Sequence, residues 1–320
     1  GSDVRANTTT ATPVGDGTYR LVGHKWFTSA PMSDMFLTLA QAPGGLSCFL
    51  LPRVLPDGTR NPIRLMRLKN KLGNKSNASA EIEYEQAIGW PLGPEGAGVK
   101  TIIQMVNNTR LDCTLGSAAG MRFGAVQAVH HATHRGAFGA KLIDQPLMRN
   151  VLADLVIESE AATTVAMRLA GAPDEFRRLG LAVSKYWVCK RAPMHAAEAL
   201  ECLGGNGYVE DSGMPRLYRE APLQSIWEGS GNVAALDTLR AMARQPESVA
   251  AFFAEVESAA GADSRLDDAV GRLRKDLSTV EEYQARRLVE SMALVLQGSL
   301  LVRHGDQAVA DAFCASRFGD

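Results

Sequence analysis

The stretch "VKTIIQMVNNTRLDCTLGSAAGMRFGAVQAVHHATH" (Val99–His134) decides the fold class of this chain. Its apolar residues recur at spacings of three and four, which is typical of an amphipathic α-helix. A helix of this length is hard to pack unless other helices lie beside it. The stretch therefore predicts one member of a helical bundle.

The same spacing continues on the C-terminal side. Two more long helices are predicted within residues 145–170 and 181–203, and shorter amphipathic helices follow from about residue 245. These segments complete the predicted bundle and add a helical appendix.

The sequence pattern on the N-terminal side is different: short extended runs are separated by turn residues. "MFLTLAQAPGGLSCFLLP" predicts a β-hairpin, with Pro-Gly-Gly supplying the turn. The fold class is therefore α+β: a small antiparallel β domain, then a helical bundle and extra C-terminal helices. We predict domains at residues 1–93, 94–243 and 244–320.

Composition narrows the functional classes. The chain has 320 residues, 46% of them hydrophobic, and a net charge of −1, so its overall charge favours neither nucleic acid nor an anionic membrane. Its five cysteines are scattered, which is typical of an intracellular protein, so we predict a cytoplasmic location and no membrane association. We predict no metal site, because no carboxylate completes a ligand set with His130, His131 and His134.

One carboxylate stands alone in an apolar, glycine-rich segment, "LQSIWEGSGN" (residues 223–232). Glu228 and Ser230 are compatible with a helix start, in which Ser230 is the N-cap. Glu228 is also compatible with a general base, because burial without a cationic partner raises the pKa of a carboxyl group. This segment by itself favours the helix start.

Several segments, taken in order, resemble the signature segments of the acyl-CoA dehydrogenases. They are "GSDV" (1–4), "GHKWFTSA" (23–30), "RGAFG" (135–139), "LGGNGY" (203–208) and "IWEGSGN" (226–232). A longer run, from "GHKWF" to "SNAS" (residues 23–79), resembles the alkylation-response branch of that family, the AidB-like flavoproteins. The resemblance implies an FAD cofactor, an acyl-CoA substrate and a homotetramer, and it leaves the electron acceptor open.

The resemblance also implies roles for individual residues toward FAD. Ser2 matches the serine that contacts the pyrophosphate, Trp26 the tryptophan packed against the isoalloxazine ring, and Thr28 the threonine that reaches flavin N5. Arg135 and Phe138 match the pair that holds the adenine-side half of FAD belonging to a neighbouring subunit.

Four more matched residues complete the implied FAD site. Gly204 and Gly205 match the glycines where a neighbouring subunit's backbone meets the cofactor. Ser230 and Asn232 match polar residues that contact FAD after the catalytic loop.

Glu228 matches the catalytic base of the medium-chain-type enzymes, and Arg110 is carried over as a substrate-binding residue. In the isovaleryl-type enzymes the base precedes an arginine of the first long helix, where this chain has Thr109 before Arg110. A threonine cannot serve as that base. The resemblance therefore reverses the preference drawn from the short segment and makes Glu228 the predicted base.

One further point limits this prediction. The sequence begins inside a motif, so we expect the family's N-terminal helical domain, which walls the acyl pocket, to lie outside it. The activity of the chain by itself is therefore left open.

Two other functions remain as alternatives. The resemblance to the alkylation-response branch implies DNA binding with weak dehydrogenase activity, with the extra C-terminal helices as the implied contact. Against this, residues 237–320 contain ten Lys/Arg and fourteen Asp/Glu, a net charge of −4. The other alternative is a scaffold that binds FAD without turnover.

Overall fold

A computed structural model of the chain describes residues Asp3–Gly319. Within these residues the strands are β1 (Thr10–Pro13), β2 (Tyr19–Thr28), β3 (Met35–Ala42), β4 (Gly45–Pro52), β5 (Ile63–Leu68), β6 (Ala80–Leu92), β7 (Gly136–Ala137) and β8 (Ala140–Lys141). The α-helices are α1 (Gly98–His134), α2 (Pro146–Ala170), α3 (Asp174–Glu201), α4 (Gly205–Tyr208), α5 (Met214–Glu220), α6 (Gly231–Arg244), α7 (Pro246–Glu257), α8 (Ser264–Leu277), α9 (Ala285–His304) and α10 (Gln307–Phe318). The predicted α+β class is confirmed.

The chain divides into two compact units, the first ending at Asn108 and the second beginning at Thr109. This division falls inside α1. The predicted domain boundaries, after residues 93 and 243, stay predictions.

The first unit is built on one sheet with the strand order β2-β1-β3-β4-β6-β5, and an additional pairing joins β2 to β6. The pairings therefore close a ring of five strands, which leaves no free edge between β2 and β6. The predicted hairpin is the β3–β4 pair, in which Ala42 lies opposite Gly45. All of these pairings are antiparallel except the single contact between β1 and β3, which is parallel.

The core of the first unit is enclosed by this ring. Its fully buried side chains include Leu21, Phe49, Leu51 and Ile82, which come from three different strands. Along β2 and β6 buried and exposed positions partly alternate, as expected when one face of a strand faces a core.

The three long helices that the apolar spacing predicted are α1, α2 and α3, of which α2 and α3 lie wholly in the second unit. The third helix begins at Asp174, before the predicted range 181–203, because Gly180 lies within the helix and does not end it. A Cβ atom at Gly180 would lie 3.0 Å from Leu169 Cδ2, so the glycine permits close packing of α3 against α2.

The C-terminal helices share a core with the long helices of the second unit. Leu169 of α2, Val183 of α3, Phe252 of α7 and Leu296 of α9 all belong to one buried cluster. No helix within Asp3–Gly319 is both long and apolar enough to span a membrane.

Candidate functional site

The segment Ile226–Asn232 leads into α6, which begins at Gly231, and its backbone is unusual at Glu228. Glu228 has a φ of +57°, in the left-handed region, and Gly229 follows at +105°. For a residue other than glycine this conformation costs about 1–2 kcal/mol. Such backbone strain is concentrated at functional sites, where the surroundings must hold it in place.

Two buried cations hold the carbonyl groups of this loop. Lys185 Nζ, on α3, donates to Trp227 O at 2.9 Å and also donates to Gly229 O. Arg110 Nε, on α1, donates to Glu228 O at 3.1 Å. Three consecutive carbonyl oxygens therefore accept hydrogen bonds from charged donors on two different helices. We call Lys185 and Arg110 the carbonyl clamp.

Arg110 is itself held by a buried carboxylate. Its Nη1 lies 2.8 Å from Asp237 Oδ2, and Arg178 pairs with both oxygens of Asp237 at 3.1 and 3.2 Å. Burial alone raises the pKa of Asp237, but Arg178 and Arg110 outweigh it and keep that pKa below its ordinary value. Arg110 is thus anchored by Asp237, and its predicted role in substrate binding stays a prediction.

The Glu228 side chain is half-buried. Within Asp3–Gly319, no side chain makes a hydrogen bond or salt bridge to its carboxylate. Its neighbour Trp227 is fixed by a hydrogen bond from Nε1 to Gln224 Oε1 at 2.8 Å. A carboxylate on a fixed loop without a bonded partner is able to accept a proton from a ligand.

The helix-start hypothesis holds for the position of Ser230 but not for its side-chain hydrogen bond. Ser230 occupies the N-cap of α6, yet its side chain makes no capping hydrogen bond with the described residues. Asn232, in the first turn of α6, is exposed. The Ser230 hydroxyl therefore does not make the capping hydrogen bond that the helix-start hypothesis expected.

The first unit carries two of the predicted flavin-binding residues at the end of β2. Trp26 is 59% exposed, which is unusual for so large an aromatic side chain, and Thr28 is half-buried. Lys69 Nζ lies 3.1 Å from the Trp26 ring centroid and 2.5 Å from Glu81 Oε1. The lysine covers one face of the indole and leaves the residue otherwise open to solvent.

Arg135 and Phe138 belong to a small hairpin that follows α1. Phe138 and Gly139 form the two-residue turn between β7 and β8, with φ values of +51° and +81°. Positive φ at both positions is typical of a type I′ turn. The Phe138 side chain is 98% exposed, so the chain holds a large aromatic residue in a strained conformation without burying it in its own unit.

Gly204 and Gly205 lie between α3 and α4. Gly204 has φ +58° and ψ −139°, the mirror image of extended backbone, which glycine adopts readily. A Cβ atom at either glycine would meet no atom within 4 Å. The backbone here is bare and accessible to a ligand. Ser2, the remaining predicted cofactor residue, lies outside the described residues.

The second unit thus brings Arg110, Glu228 and Ser230 to one loop, while Trp26 and Thr28 belong to the first unit. Sequence reasoning missed Lys185 and Asp237. A signal existed for both, because each lies on an apolar face at helical spacing: Leu181 and Val188 flank Lys185. No group of three or more His, Cys, Asp or Glu residues that could hold a metal occurs in the described part of the chain.

This fold and these segments match one protein family. The model of the acyl-CoA dehydrogenase middle domain matches residues 1–87, and that of the acyl-CoA dehydrogenase C-terminal domain matches residues 96–243. The chain therefore belongs to the acyl-CoA dehydrogenase family. It is 48% identical over 325 residues to AidB of Escherichia coli (strain K12), covering 98% of this chain and 60% of that protein. The predicted resemblance to the alkylation-response branch is confirmed.

Solved structures agree on the fold. Caenorhabditis elegans ACDH-11 in complex with C11-CoA is 32% identical, with a TM-score of 0.87 over 99% of this chain and 63% of that chain. An acyl-CoA dehydrogenase from Bacillus anthracis, complexed with FAD, has a TM-score of 0.78 over 99% of this chain and 65% of that chain; at 18% identity it shows the fold alone. The chain spans less than two thirds of the length of each of these relatives.

Proposed function

We propose that this chain is part of an FAD-dependent acyl-CoA dehydrogenase in which Glu228 is the catalytic base. The observation that carries the proposal is the Glu228 loop itself. Its carboxylate has no bonded partner among the described residues, and its left-handed backbone is held by buried cations. A plain helix start needs neither feature.

The reaction requires a base at this position. Glu228 takes the proton from the carbon next to the thioester carbonyl, and the carbon–carbon double bond forms as the neighbouring carbon loses a hydride. FAD, when bound, supplies the acceptor of that hydride at N5. The clamp keeps the carboxylate in place, and Trp227, fixed by Gln224, helps to keep water from it.

The described residues fit FAD. Trp26 offers an exposed ring, Thr28 a hydroxyl, and the Gly204–Gly205 segment offers backbone that no side chain covers, of the kind that lets a phosphate approach closely. Phe138 presents a fully exposed aromatic ring for a contact outside its own unit. Each of these features is unexplained by the packing of the chain and is explained by a cofactor.

The substrate class and assembly belong to the same proposal. The acyl-CoA assignment is supported by the C11-CoA bound to the C. elegans relative. The homotetramer is supported by the exposed Phe138 hairpin, which needs a partner. The cytoplasmic location is supported by five cysteines that are all free and buried.

A visible spectrum followed by substrate addition tests the function. The full-length protein, purified with its flavin, is titrated anaerobically with acyl-CoA thioesters of increasing chain length. We expect the oxidised flavin band to bleach with at least one of them. A flavin band that no acyl-CoA bleaches would favour a scaffold or a DNA-associated protein instead.

A further inference from the structure

Lys185 is a buried charge that the proposed reaction has not yet used. The residue is only 1% exposed, and burial lowers the pKa of its ammonium group. A buried lysine needs strong compensating contacts. Its two hydrogen-bond partners are backbone carbonyls, of Trp227 and Gly229, and no carboxylate within the described residues forms a salt bridge with it.

These two carbonyls flank Glu228 on either side. Turning the peptide plane after Trp227 or after Gly229 would break a hydrogen bond to Lys185. The bond to Trp227 O fixes the peptide plane before the Glu228 Cα atom, and the bond to Gly229 O fixes the plane after Gly229, so Lys185 holds the loop on both sides of Glu228. Arg110 fixes only the central carbonyl, so the two cations act on different peptide planes of the same loop.

We propose that Lys185 is a positioning residue for catalysis: by binding both carbonyls around Glu228, it holds the left-handed backbone that presents the carboxylate to the substrate. The inference rests on the proposed function and names a residue outside the predicted site. Lys185 acts through the loop and does not itself exchange a proton with the substrate.

The experiment compares Lys185→Met with Lys190→Met in the flavin-loaded full-length protein. Methionine keeps most of the volume of the buried side chain and removes its donors. Lys190 lies on the same helix and is exposed, so it controls for the loss of a charge from α3. Lys185→Gln, which keeps one donor group, serves as a second variant in case the methionine variant does not fold.

The first measurement isolates proton removal. An acyl-CoA whose β-carbon is replaced by sulfur cannot donate a hydride, so exchange of its α-protons with D₂O reports on the base alone. We expect Lys185→Met to slow this exchange by roughly 10- to 100-fold, the scale of an ångström-sized misplacement. Flavin content and the dissociation constant of the analogue should stay near wild type, and Lys185→Gln should fall between.

The second measurement is amide hydrogen exchange of residues 226–232. It reports on the backbone of the loop and does not depend on catalytic activity. We expect faster exchange there in Lys185→Met and wild-type exchange in Lys190→Met. Unchanged protection of this segment, or α-proton exchange at the wild-type rate in Lys185→Met or in Lys185→Gln, would overturn the role of Lys185.

The role of Glu228 as the base and the role of Lys185 in positioning it can be tested separately. A wild-type protein that neither exchanges α-protons nor bleaches with any acyl-CoA would remove the base, and with it any role for Lys185 in placing one. A wild-type protein that does both, beside an unimpaired Lys185→Met, would leave the proposed function intact and reject Lys185 alone.

Discussion

At the scale of single residues, two predicted site residues share a rare backbone conformation. Glu228 and Phe138 both have positive φ although neither is glycine. The glycine after each of them also has positive φ, +105° at Gly229 and +81° at Gly139, so two consecutive residues adopt this conformation at both places. The Phe138 side chain is exposed, and the Glu228 carboxylate has no bonded partner among the described residues. This pattern is expected where a ligand or partner supplies the missing contact.

The first prediction concerns Glu228→Gln. The amide keeps the size of the side chain but cannot accept the proton, so flavin reduction by acyl-CoA should fall by a factor of roughly 10² to 10⁴. Flavin content should stay unchanged. Stopped-flow spectroscopy measures the rate, and Glu247→Gln, at an exposed acid of α7, is the control. Near-normal reduction by Glu228→Gln would end the proposed mechanism.

The second prediction concerns Phe138→Gly. Glycine relieves the left-handed strain of about 1–2 kcal/mol but is more flexible when unfolded, so the flavin-free protein should gain a few tenths to about 1 kcal/mol of stability. Retention of FAD should fall, because the exposed ring is lost. Urea unfolding and flavin content measure the two effects.

The control for this change is Phe138→Ala, which removes the ring and keeps the strain. It should lose FAD to the same extent without any gain in stability. Full flavin occupancy in both variants would show that Phe138 does not contact the cofactor.

At the scale of elements, the helices carry the charged side chains that hold the loop before α6. α1 contributes Arg110 and α3 contributes Lys185, which bind the loop before α6, and α6 contributes Asp237, which binds Arg110. The sequence predicted α1 and α3 from apolar spacing. It did not predict which polar residues of the buried faces would meet, because that depends on the rotation of each helix about its axis.

The third prediction concerns the start of α8. Asp263 is its N-cap and accepts hydrogen bonds from the backbone N–H groups of Arg265 and Leu266 and from the Arg265 side chain. The side-chain hydrogen bond from Arg265 is the largest cause that lowers the pKa of Asp263, to about 2. Asp263→Ala should cost about 1 kcal/mol of unfolding free energy at pH 7.

The sign of its pH dependence follows from the lowered pKa. The carboxylate stabilises the fold above the ordinary Asp pKa of about 4, and this contribution is lost as the pH falls toward 2. Urea unfolding from pH 7 to pH 2 should therefore show the wild type and Asp263→Ala converging below about pH 4. A difference that is constant over this range would contradict the charged cap.

The fourth prediction concerns DNA and the C-terminal helices. Arg274 is paired with Glu257 and stacked 4.1 Å from the Phe253 ring centroid, which leaves Arg272 and Lys275 as the exposed basic residues of α8 outside any salt bridge within the described chain. If DNA binds here, affinity should fall steeply with salt, and changing both residues to Gln should weaken binding and flatten the salt dependence.

Fluorescence anisotropy with duplex DNA at several salt concentrations measures this, with Lys190→Gln on α3 as the control. Binding that is absent at low ionic strength, or insensitive to salt, would remove the DNA hypothesis.

At the scale of the whole molecule, we propose that a neighbouring subunit completes the cofactor site. The Phe138 hairpin and the Gly204–Gly205 backbone face outward, and both match family segments that serve a neighbouring subunit. The fifth prediction follows: FAD binding and assembly into a homotetramer should be coupled.

Light scattering of the full-length protein should report a tetramer with FAD bound. Arg135→Ala should lower both the flavin content and the tetramer fraction, whereas Arg272→Ala, on an exposed face of α8, should change neither. A monomer with full flavin occupancy would reject the interface assignment of Arg135, Phe138 and the two glycines.

The sequence by itself determined the α+β class, the three long helices, the β3–β4 hairpin and the family. Apolar spacing and turn residues act over a few neighbouring positions, and several signature segments in the right order identify a family together. These signals are local, so they are readable from the chain.

Only the tertiary structure decided the closure of the sheet through β2 and β6, the left-handed backbone of Glu228, and the carbonyl clamp that holds it. Lys185 and Glu228 are separated by 43 positions along the chain. Their meeting depends on how α3 packs against the loop before α6. Hydrogen bonds between distant residues are set by packing, and no local pattern of the sequence specifies them.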